Sequence, residues 1–346
     1  MKSRILVGIN NLTANSIGIS LVNFLNTIDY SKYDVDLIFV NSQTNLLNQI
    51  TRKVNIIHSP FSSKKHGFFD KVKMFHRYSL SIMYDLGNKE LIDIIKLSSR
   101  NNAVYLHHDY KNIYVISAKY NEFVLNNKIL DFKYILFPTK QLLESFSNIY
   151  ADAEDKSFVL PYAINEKRII ELSKAHAELG KPDYKKLIIS AGTLNDRSKN
   201  YTLMINMMHK LIKLNNHVNL WILGDGPDQV HLKMLVKNLK LEEYVKFLGF
   251  KSNPYPYMAM ADYIINTSDF SDFSTTMIEA KVLEKPIITT SIDMEGDNAY
   301  VVSSNLDKIA SEINDILIKN VKYNNNNNFW AENQKVIKTV EKLINK

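Results

Sequence analysis

A glycine-containing turn follows one of the most apolar runs in the chain. Residues 220–227 (LWILGDGP) include Gly224 and Gly226, and a helix-like stretch, 231–239, comes soon after. Glycine permits a tight turn and lets a ligand approach the main chain closely. Because no third glycine completes a G-x-G-x-x-G fingerprint, the turn indicates a strand-to-helix connection that either lines a ligand pocket or is only structural.

A second stretch has the residue types that bind phosphate. Residues 267–276 (TSDFSDFSTT) are rich in small hydroxyl side chains, and a helix-like segment follows at 277–283. The first backbone N–H groups of a helix have no partner within the helix, so they can bind a diphosphate. Ser274 and Thr275 therefore indicate either an anion site or ordinary helix capping. Glu279, one turn into the helix, could accept both hydroxyls of a ribose, and the alternative for it is a solvated or capping residue.

Two basic residues follow the apolar run at 186–191. Arg197 and Lys199 lie in the next loop, from which both can reach the carboxyl edge of a sheet. A diphosphate leaving group gains negative charge as its bond to a sugar breaks, and preorganised cations stabilise that charge. The alternative for each residue is a solvated surface charge.

The elements that position these residues are predicted from short apolar runs separated by helix-like segments. This alternation favours parallel α/β sheets. One series of runs lies at 4–10, 34–40, 54–57, 103–106 and 134–137, and a second lies at 186–191, 218–223, 245–248, 263–266 and 286–290. A chain of 346 residues also exceeds the usual size of one hydrophobic core. We therefore predict two domains that meet within the polar stretch 161–183.

Composition excludes several classes of site. The chain has no cysteine, which rules out disulfides, thiolate metal sites and a cysteine nucleophile. Its apolar runs are too short for a membrane span or a signal-peptide core.

A net charge of +7 indicates an anionic partner. Because no known nucleic-acid-binding module accompanies that charge, we do not expect nucleic acid as the partner.

In their order along the chain, these motifs resemble the donor-binding domain of the family 4 retaining glycosyltransferases. The resemblance covers about residues 186–290, through the segments 192–199, 223–227, 247–250, 253–257, 261–262, 271–279 and 285–290. It implies the GT-B fold, in which two Rossmann-like domains face each other across a cleft. The implied parts are an acceptor-side domain at 1–165, a donor domain at 166–322, and a linker with a C-terminal helix at 323–346 that packs back toward the N-terminal domain.

The resemblance also implies roles for individual residues. Lys199 would neutralise the donor diphosphate, with Arg197 beside it, and Glu279 would hold the ribose hydroxyls. Lys251 lies in the segment that would flank the base. The remaining implied donor-site positions are backbone or pocket-shaping ones: Gly192, Gly224, Phe273, Ser274 and Thr275. No metal is expected, and no general base is assigned.

Two positions depart from the family pattern. Thr193 stands where the family has an arginine, so Arg197 is a candidate to replace it from an enlarged loop. Ser271 stands where the family has a first glutamate that contacts the donor sugar, and serine supplies no charge. Asp272 is the neighbouring carboxylate that could substitute, and the identity of the sugar is left open.

The N-terminal half resembles the family less closely. Its glycine-rich loop is reduced to Gly18, which is still expected to approach the diphosphate. After the run 103–106 comes His107-His108-Asp109-Tyr110, where the family commonly has a histidine beside the sugar, and His108 is the preferred candidate. A zinc site is the alternative there, although no further acidic or histidine pair has ligand spacing.

The resemblance implies a retaining enzyme that moves a hexose or N-acetylhexosamine from a nucleotide diphosphate sugar, with UDP favoured. The expected acceptor is a cell-surface glycan or its lipid-linked precursor. Residues 61–83 interleave basic and aromatic side chains, which favours either an anionic membrane surface or a half-buried helix. The expected location is therefore cytoplasmic, at the inner face of the membrane. The alternative function is a non-catalytic sugar-nucleotide-binding subunit, and a nucleotide-sugar epimerase lacks motif support.

Overall fold

The computed structural model describes residues 2–13, 15–42, 45–50, 52–58, 76–87, 89–108, 117–268, 275–291, 298–321, 323–324 and 327–346. The chain divides into two compact units. Unit 1 comprises Met1–Asn165 together with Asn328–Lys346, and unit 2 comprises Glu166–Asn327. The stretch predicted as linker and terminal helix is thus divided between the units after Asn327.

Unit 1 contains a parallel sheet of seven strands in the order β3-β2-β1-β4-β5-β6-β7. Its first strand has five successive buried residues from Ile5 to Ile9, as expected of a parallel strand covered on both faces. The strands are β1 (Ser3–Leu12), β2 (Tyr33–Ser42), β3 (Asn55–His58), β4 (Leu80–Tyr84), β5 (Asn102–Tyr105), β6 (Tyr134–Phe137) and β7 (Ser157–Val159).

Unit 2 contains a parallel sheet of six strands in the order β10-β9-β8-β11-β12-β13. The strands are β8 (Lys186–Ala191), β9 (Val218–Leu223), β10 (Val245–Gly249), β11 (Tyr263–Asn266), β12 (Ile287–Thr289) and β13 (Ala299–Val301). Every pairing in the two sheets is parallel, which confirms the predicted α/β class.

Helices lie between many of the successive strands that the structure describes, and in unit 2 one helix also lies before the first strand and another after the last. In unit 1 they are α1 (Ser16–Thr27), α2 (Lys89–Ser98), α3 (Ser117–Asn126) and α4 (Lys140–Ser147). Those of unit 2 are α5 (Glu166–Ser173), α6 (Asp196–Lys199), α7 (Tyr201–Leu214), α8 (Gln229–Asn238), α9 (Tyr255–Met260), α10 (Thr275–Val282) and α11 (Leu306–Lys319). None of the helices in the described residues combines the length and hydropathy that a membrane span requires.

The last helix, α12 (Phe329–Asn345), belongs to unit 1. Its apolar side buries Val336, Val340 and Leu343. The Asn333 side chain accepts a hydrogen bond from the Ile164 N–H at 2.9 Å and donates one to the Ile164 carbonyl at 2.8 Å. The helix is therefore fixed to the N-terminal unit by both apolar packing and paired hydrogen bonds.

Both sheets reverse their strand order once. The reversal lies between β1 and β4 in unit 1 and between β8 and β11 in unit 2. Connections on the two sides of such a point leave the sheet in opposite directions, which opens a crevice beyond the carboxyl ends of the strands. In unit 2 this crevice lies at the loops after β8 and β11, next to the loop after β9.

Candidate functional site

The loops beyond β8 and β11 are tied together at the reversal point of unit 2. The Thr267 hydroxyl, just after β11, lies 2.9 Å from the Lys199 carbonyl and 3.0 Å from the Asn200 carbonyl. The hydroxyl of Thr276, in the first turn of α10, donates to the Ala191 carbonyl at the end of β8 over 3.3 Å. Side-chain hydroxyls thus fix the start of α10 and the loop after β8 to each other.

Glycines form the turns after β8 and β9. Gly192 and Gly224 have φ angles of +152° and +137°, which side-chain-bearing residues rarely adopt. A Cβ on Gly224 would lie 1.8 Å from the Gly192 carbonyl oxygen, and one on Gly226 would lie 2.5 Å from the Leu194 carbonyl oxygen. The two loops therefore pack main chain against main chain, which explains why glycines occupy these positions.

Lys199 lies beside this turn. A Cβ placed on Gly192 would be 4.0 Å from Cε of Lys199, so the lysine side chain runs next to the glycine. The short helix α6 that carries it is anchored through Asp196, whose N–H donates to Asp228 at 2.8 Å and whose carboxylate accepts from Thr202. Arg197, on the same helix, has an exposed side chain. The half-buried cation at the end of β8 is therefore Lys199.

Glu279 is a buried carboxyl group on α10, with 7% of its surface exposed. The Tyr255 hydroxyl, on α9, donates a hydrogen bond to its Oε1 at 3.1 Å. Burial raises the pKa of Glu279 to about 7, and the hydrogen bond from Tyr255 and the positive charge of Arg168 on α5 oppose that rise. A buried carboxyl oxygen is rarely left without a hydrogen-bond partner in proteins. The carboxyl group of Glu279 is therefore suited to accept hydrogen bonds from the hydroxyls of a ligand.

Lys251 follows β10 and is held in place by two contacts. Its ammonium group lies 2.6 Å from Oε2 of Glu178 and 5.5 Å from the centre of the Tyr257 ring. The Glu178 N–H also donates to the Tyr257 hydroxyl at 3.2 Å. The hydrogen bond to Glu178 raises the pKa of Lys251, so the side chain stays charged beside the aromatic ring.

The paired histidines after β5 differ in their surroundings. His107 is buried, its Nδ1 lies 3.0 Å from the Tyr162 hydroxyl, and the two rings stack at an angle of 9°. Burial, followed by the charge of His108, holds the pKa of His107 well below its usual value, so the ring is neutral. His108 is only half-buried. Of the two, His108 is thus the one with access to a ligand.

Gly18 lies in the first turn of α1, where its N–H donates to the capping side chain of Asn15 at 2.9 Å. A Cβ on Gly18 would lie 2.0 Å from the Thr13 carbonyl oxygen, so the glycine allows the preceding loop to fold against the helix. Thr275 is the first residue of α10 and is half-buried. The other predicted positions at the start of this helix, Ser271, Asp272, Phe273 and Ser274, lie outside the described residues.

The structure adds two residues that sequence reasoning missed. Tyr255 belongs to the motif at 253–257, but nothing in that motif indicates which carboxyl group it contacts. Arg168 lies in the polar stretch 161–183, whose sequence indicates only an interdomain connection. No local pattern marks either one, because both become relevant only when α5 packs against α9 and α10.

A family model described as "Glycosyl transferases group 1" matches residues 173–335. A relative from Campylobacter jejuni is 29% identical over 204 residues and is named N-acetylgalactosamine-N,N'-diacetylbacillosaminyl-diphospho-undecaprenol 4-alpha-N-acetylgalactosaminyltransferase. The poly(glycerol-phosphate) alpha-glucosyltransferase of Bacillus subtilis is 25% identical over 236 residues. The alignments cover 59% and 65% of this chain but only 52% and 34% of these curated relatives.

Solved structures resemble the chain over nearly its whole length. Anabaena HepE in complex with UDP and glucose has a TM-score of 0.77 at 17% identity, covering 98% of this chain and 99% of HepE. A mutant of S. aureus TarM has a TM-score of 0.70 at 11% identity, covering 99% and 100% of the two chains. At such identities the likeness concerns the fold, and it confirms the predicted GT-B class.

Proposed function

We propose that the chain is a glycosyltransferase that uses a nucleotide diphosphate sugar, because a glycosyl transferases group 1 model matches residues 173–335. In the finer proposal the enzyme is retaining, the donor is a UDP-hexose or UDP-N-acetylhexosamine, and the acceptor is a cell-surface glycan or its lipid-linked precursor. The observation that carries the proposal is that a half-buried cation and a buried carboxyl group follow the two strands, β8 and β11, between which the strand order of unit 2 reverses. Lys199, the last residue of α6, lies beside the glycine that follows β8, and Glu279 lies on α10, the helix after β11.

These two residues suit the two ends of a nucleoside diphosphate. Lys199 would bind the diphosphate and stabilise the charge that develops as the sugar bond breaks. Glu279 would accept the vicinal hydroxyls of the ribose. The start of α10 would add backbone N–H groups to the phosphate site. The positive charge in this proposal comes from the protein, so no metal is assigned a step.

The proposed substrates are supported by what known relatives and neighbours bind. HepE was solved with UDP and glucose, which favours UDP as the nucleotide. The Campylobacter jejuni relative is named for a diphospho-undecaprenol acceptor, which favours a lipid-linked substrate and a site of action at the inner face of the membrane. Of the basic segment proposed to lie on the membrane, 61–83, residues 61–75 lie outside the described residues. Its end is neither a helix nor a membrane-facing surface, because residues 80–83 are buried in β4 between β1 and β5.

The test is binding followed by turnover. A thermal-shift screen with UDP, GDP and their sugars should show stabilisation by one nucleotide series, because a ligand of the native state raises its stability. Donor hydrolysis and transfer to a diphospholipid-linked saccharide are then measured with the sugars of that series. Failure of every nucleotide to bind would refute the proposal.

A second candidate function is favoured by Ser271. Because serine replaces the family's glutamate at the sugar position, the chain could act as a non-catalytic sugar-nucleotide-binding subunit of another transferase. This candidate predicts that a nucleotide sugar binds while neither hydrolysis nor transfer occurs with any acceptor. Turnover by the isolated chain would exclude it.

A further inference from the structure

Glu279 is connected through one tyrosine to an arginine on a third helix. The Tyr255 hydroxyl donates to Glu279 at 3.1 Å, and the Arg168 side chain lies close enough to lower the pKa of both Tyr255 and Glu279. Helix α5, which carries Arg168, packs against both α9 and α10. We propose that Arg168 and Tyr255 are positioning residues that hold the Glu279 carboxylate for the two ribose hydroxyls. This inference rests on the proposed function and deepens it.

We call Arg168, Tyr255 and Glu279 the relay. Its direction follows from which of these groups can donate a hydrogen bond and which can accept one. An ionised carboxylate is an acceptor only, so the Tyr255 hydroxyl gives its single proton to Glu279 and leaves its own oxygen to accept from a donor such as Arg168. Burial, and then the charge of Glu279, raise the pKa of Tyr255 above its ordinary value, so the tyrosine keeps that proton. The donor on α9 and the positive charge on α5 therefore both act on the carboxyl group of α10.

The relay matters because a buried carboxyl group is otherwise driven toward its neutral form. In the described part of the chain, the groups that act on the charge of Glu279 are Tyr255 from α9 and Arg168 from α5, and both lower its pKa against the effect of burial. A carboxylate accepts hydrogen bonds from two hydroxyls, whereas a protonated carboxyl group must give up one acceptor position to its own proton. Binding of a vicinal diol thus favours the ionised form.

One oxygen of Glu279 is also fixed in direction. A carboxylate that rotates freely loses rotational freedom when it engages a diol, and that loss weakens binding. The hydrogen bond from Tyr255 to Oε1 reduces this loss before the ligand arrives. The nucleotide site is preorganised by residues that need not touch the nucleotide.

The test compares UDP with 2′-deoxy-UDP as probes, using calorimetric titration of the full chain. We expect Tyr255→Phe and Arg168→Gln each to weaken UDP binding roughly three- to tenfold near neutral pH, as for loss of one hydrogen bond. The loss should be smaller for 2′-deoxy-UDP, since that ligand lacks one of the hydroxyls. Tyr263→Phe is the matched control, because it removes a hydroxyl whose hydrogen bonds are to backbone groups, the Ile316 carbonyl at 3.4 Å and the main chain at Val321, rather than to Glu279.

A pH series separates positioning from folding. Without either relay residue the pKa of Glu279 should rise further, so the acid-side loss of UDP affinity should begin at a higher pH than in the wild type. Arg168 is only half-buried, so Arg168→Gln gives a folded variant even if Tyr255→Phe is unstable. A variant that loses the two ligands equally, or one that keeps wild-type affinity and pH profile, would overturn this inference alone. Failure of the wild type to bind any nucleoside diphosphate would overturn the proposed function as well.

Discussion

The Tyr255 hydroxyl donates a hydrogen bond to Oε1 of Glu279 at 3.1 Å, in a part of unit 2 where Glu279 is only 7% exposed. The folded protein therefore keeps an ionisable group away from water and satisfies one of its oxygens. Such an arrangement costs stability whenever the carboxyl group is charged, and a ligand that binds the charged form offsets part of that cost.

The first prediction concerns the stability that the folded protein loses when Glu279 is charged. The pKa of Glu279 is about 7 in the folded chain against 4.5 as its ordinary value, so between these values the folded state binds more protons than the unfolded state. Stability should therefore fall as pH rises through this window, by about 3 kcal/mol at most. Glu279→Gln should lack this fall and be the more stable protein at about pH 8, while both proteins are similar at about pH 5.

Urea unfolding of both proteins at the two pH values measures the effect. The same variant should bind UDP at least tenfold more weakly, since a neutral amide accepts less well than a carboxylate. Equal pH dependence in the two proteins would show that Glu279 is not the group responsible.

The second prediction concerns the cation at the end of β8. Lys199→Met keeps the aliphatic stem beside Gly192 and removes the charge, so UDP affinity should fall roughly tenfold or more. Uridine affinity should stay unchanged, because uridine has no phosphate. Lys213→Met serves as the control, since Lys213 is an exposed lysine on α7. Equal losses for UDP and uridine would argue against a diphosphate contact.

The third prediction concerns the glycine turn. Gly224→Ala would place a Cβ 1.8 Å from the Gly192 carbonyl oxygen on a backbone with φ of +137°, so the loop must move. We expect a loss of about 3 kcal/mol in stability, with weaker nucleotide binding. Gly180→Ala, which meets no atom within 4 Å, should change stability by less than about 0.5 kcal/mol. Comparable melting temperatures for the two variants would contradict the close packing.

The fourth prediction separates the adjacent histidines. His107 is buried against Tyr162, so His107→Ala should lower stability by about 2 kcal/mol through lost packing. His108→Ala should leave stability within about 0.5 kcal/mol of wild type and lower donor turnover instead. Thermal melting and donor hydrolysis, measured on both variants, check the pair. Loss of turnover in His107→Ala alone would reverse the assignment.

The fifth prediction concerns the missing acidic residue. Ser271→Glu would restore a carboxylate at the position where the family contacts the donor sugar. If serine limits activity, the variant should hydrolyse or transfer the sugar faster than the wild type at unchanged UDP affinity. Asp272→Asn should in turn lower turnover if that carboxylate now serves in its place. Unchanged rates in both variants would show that neither position contacts the sugar.

The strands were predictable where they are continuous apolar runs. β8, β9 and β11 are buried along almost their whole length, and their apolar sequences predict that burial. β4, β7 and β13 were not predicted. β4 is buried throughout, but its sequence, LSIMY, directly follows basic and aromatic residues, and most of it lies in the segment 61–83. β7 and β13 are three residues long and mostly not buried, so neither forms a clear apolar run. A short edge strand takes its structure from its neighbour in the sheet rather than from its own composition.

The site was predictable to the extent that its residues follow strands. Lys199 and Glu279 lie close after β8 and β11, where parallel sheets bring loops together. Arg168 could not be predicted because its relation to Glu279 depends on how three helices pack. The pKa of Glu279 had no sequence signal either, since it is set by burial and two partners from other helices.

The division of the chain between the units has a consequence for its biosynthesis. Unit 2 is one continuous stretch, Glu166–Asn327, whereas α12 of unit 1 is encoded after it. A ribosome that adds about 5–20 residues per second needs on the order of 10–30 s to make unit 2. During that interval the apolar surface against which Val336, Val340 and Leu343 later pack is uncovered, so we expect the nascent N-terminal unit to expose apolar side chains until the last helix is made.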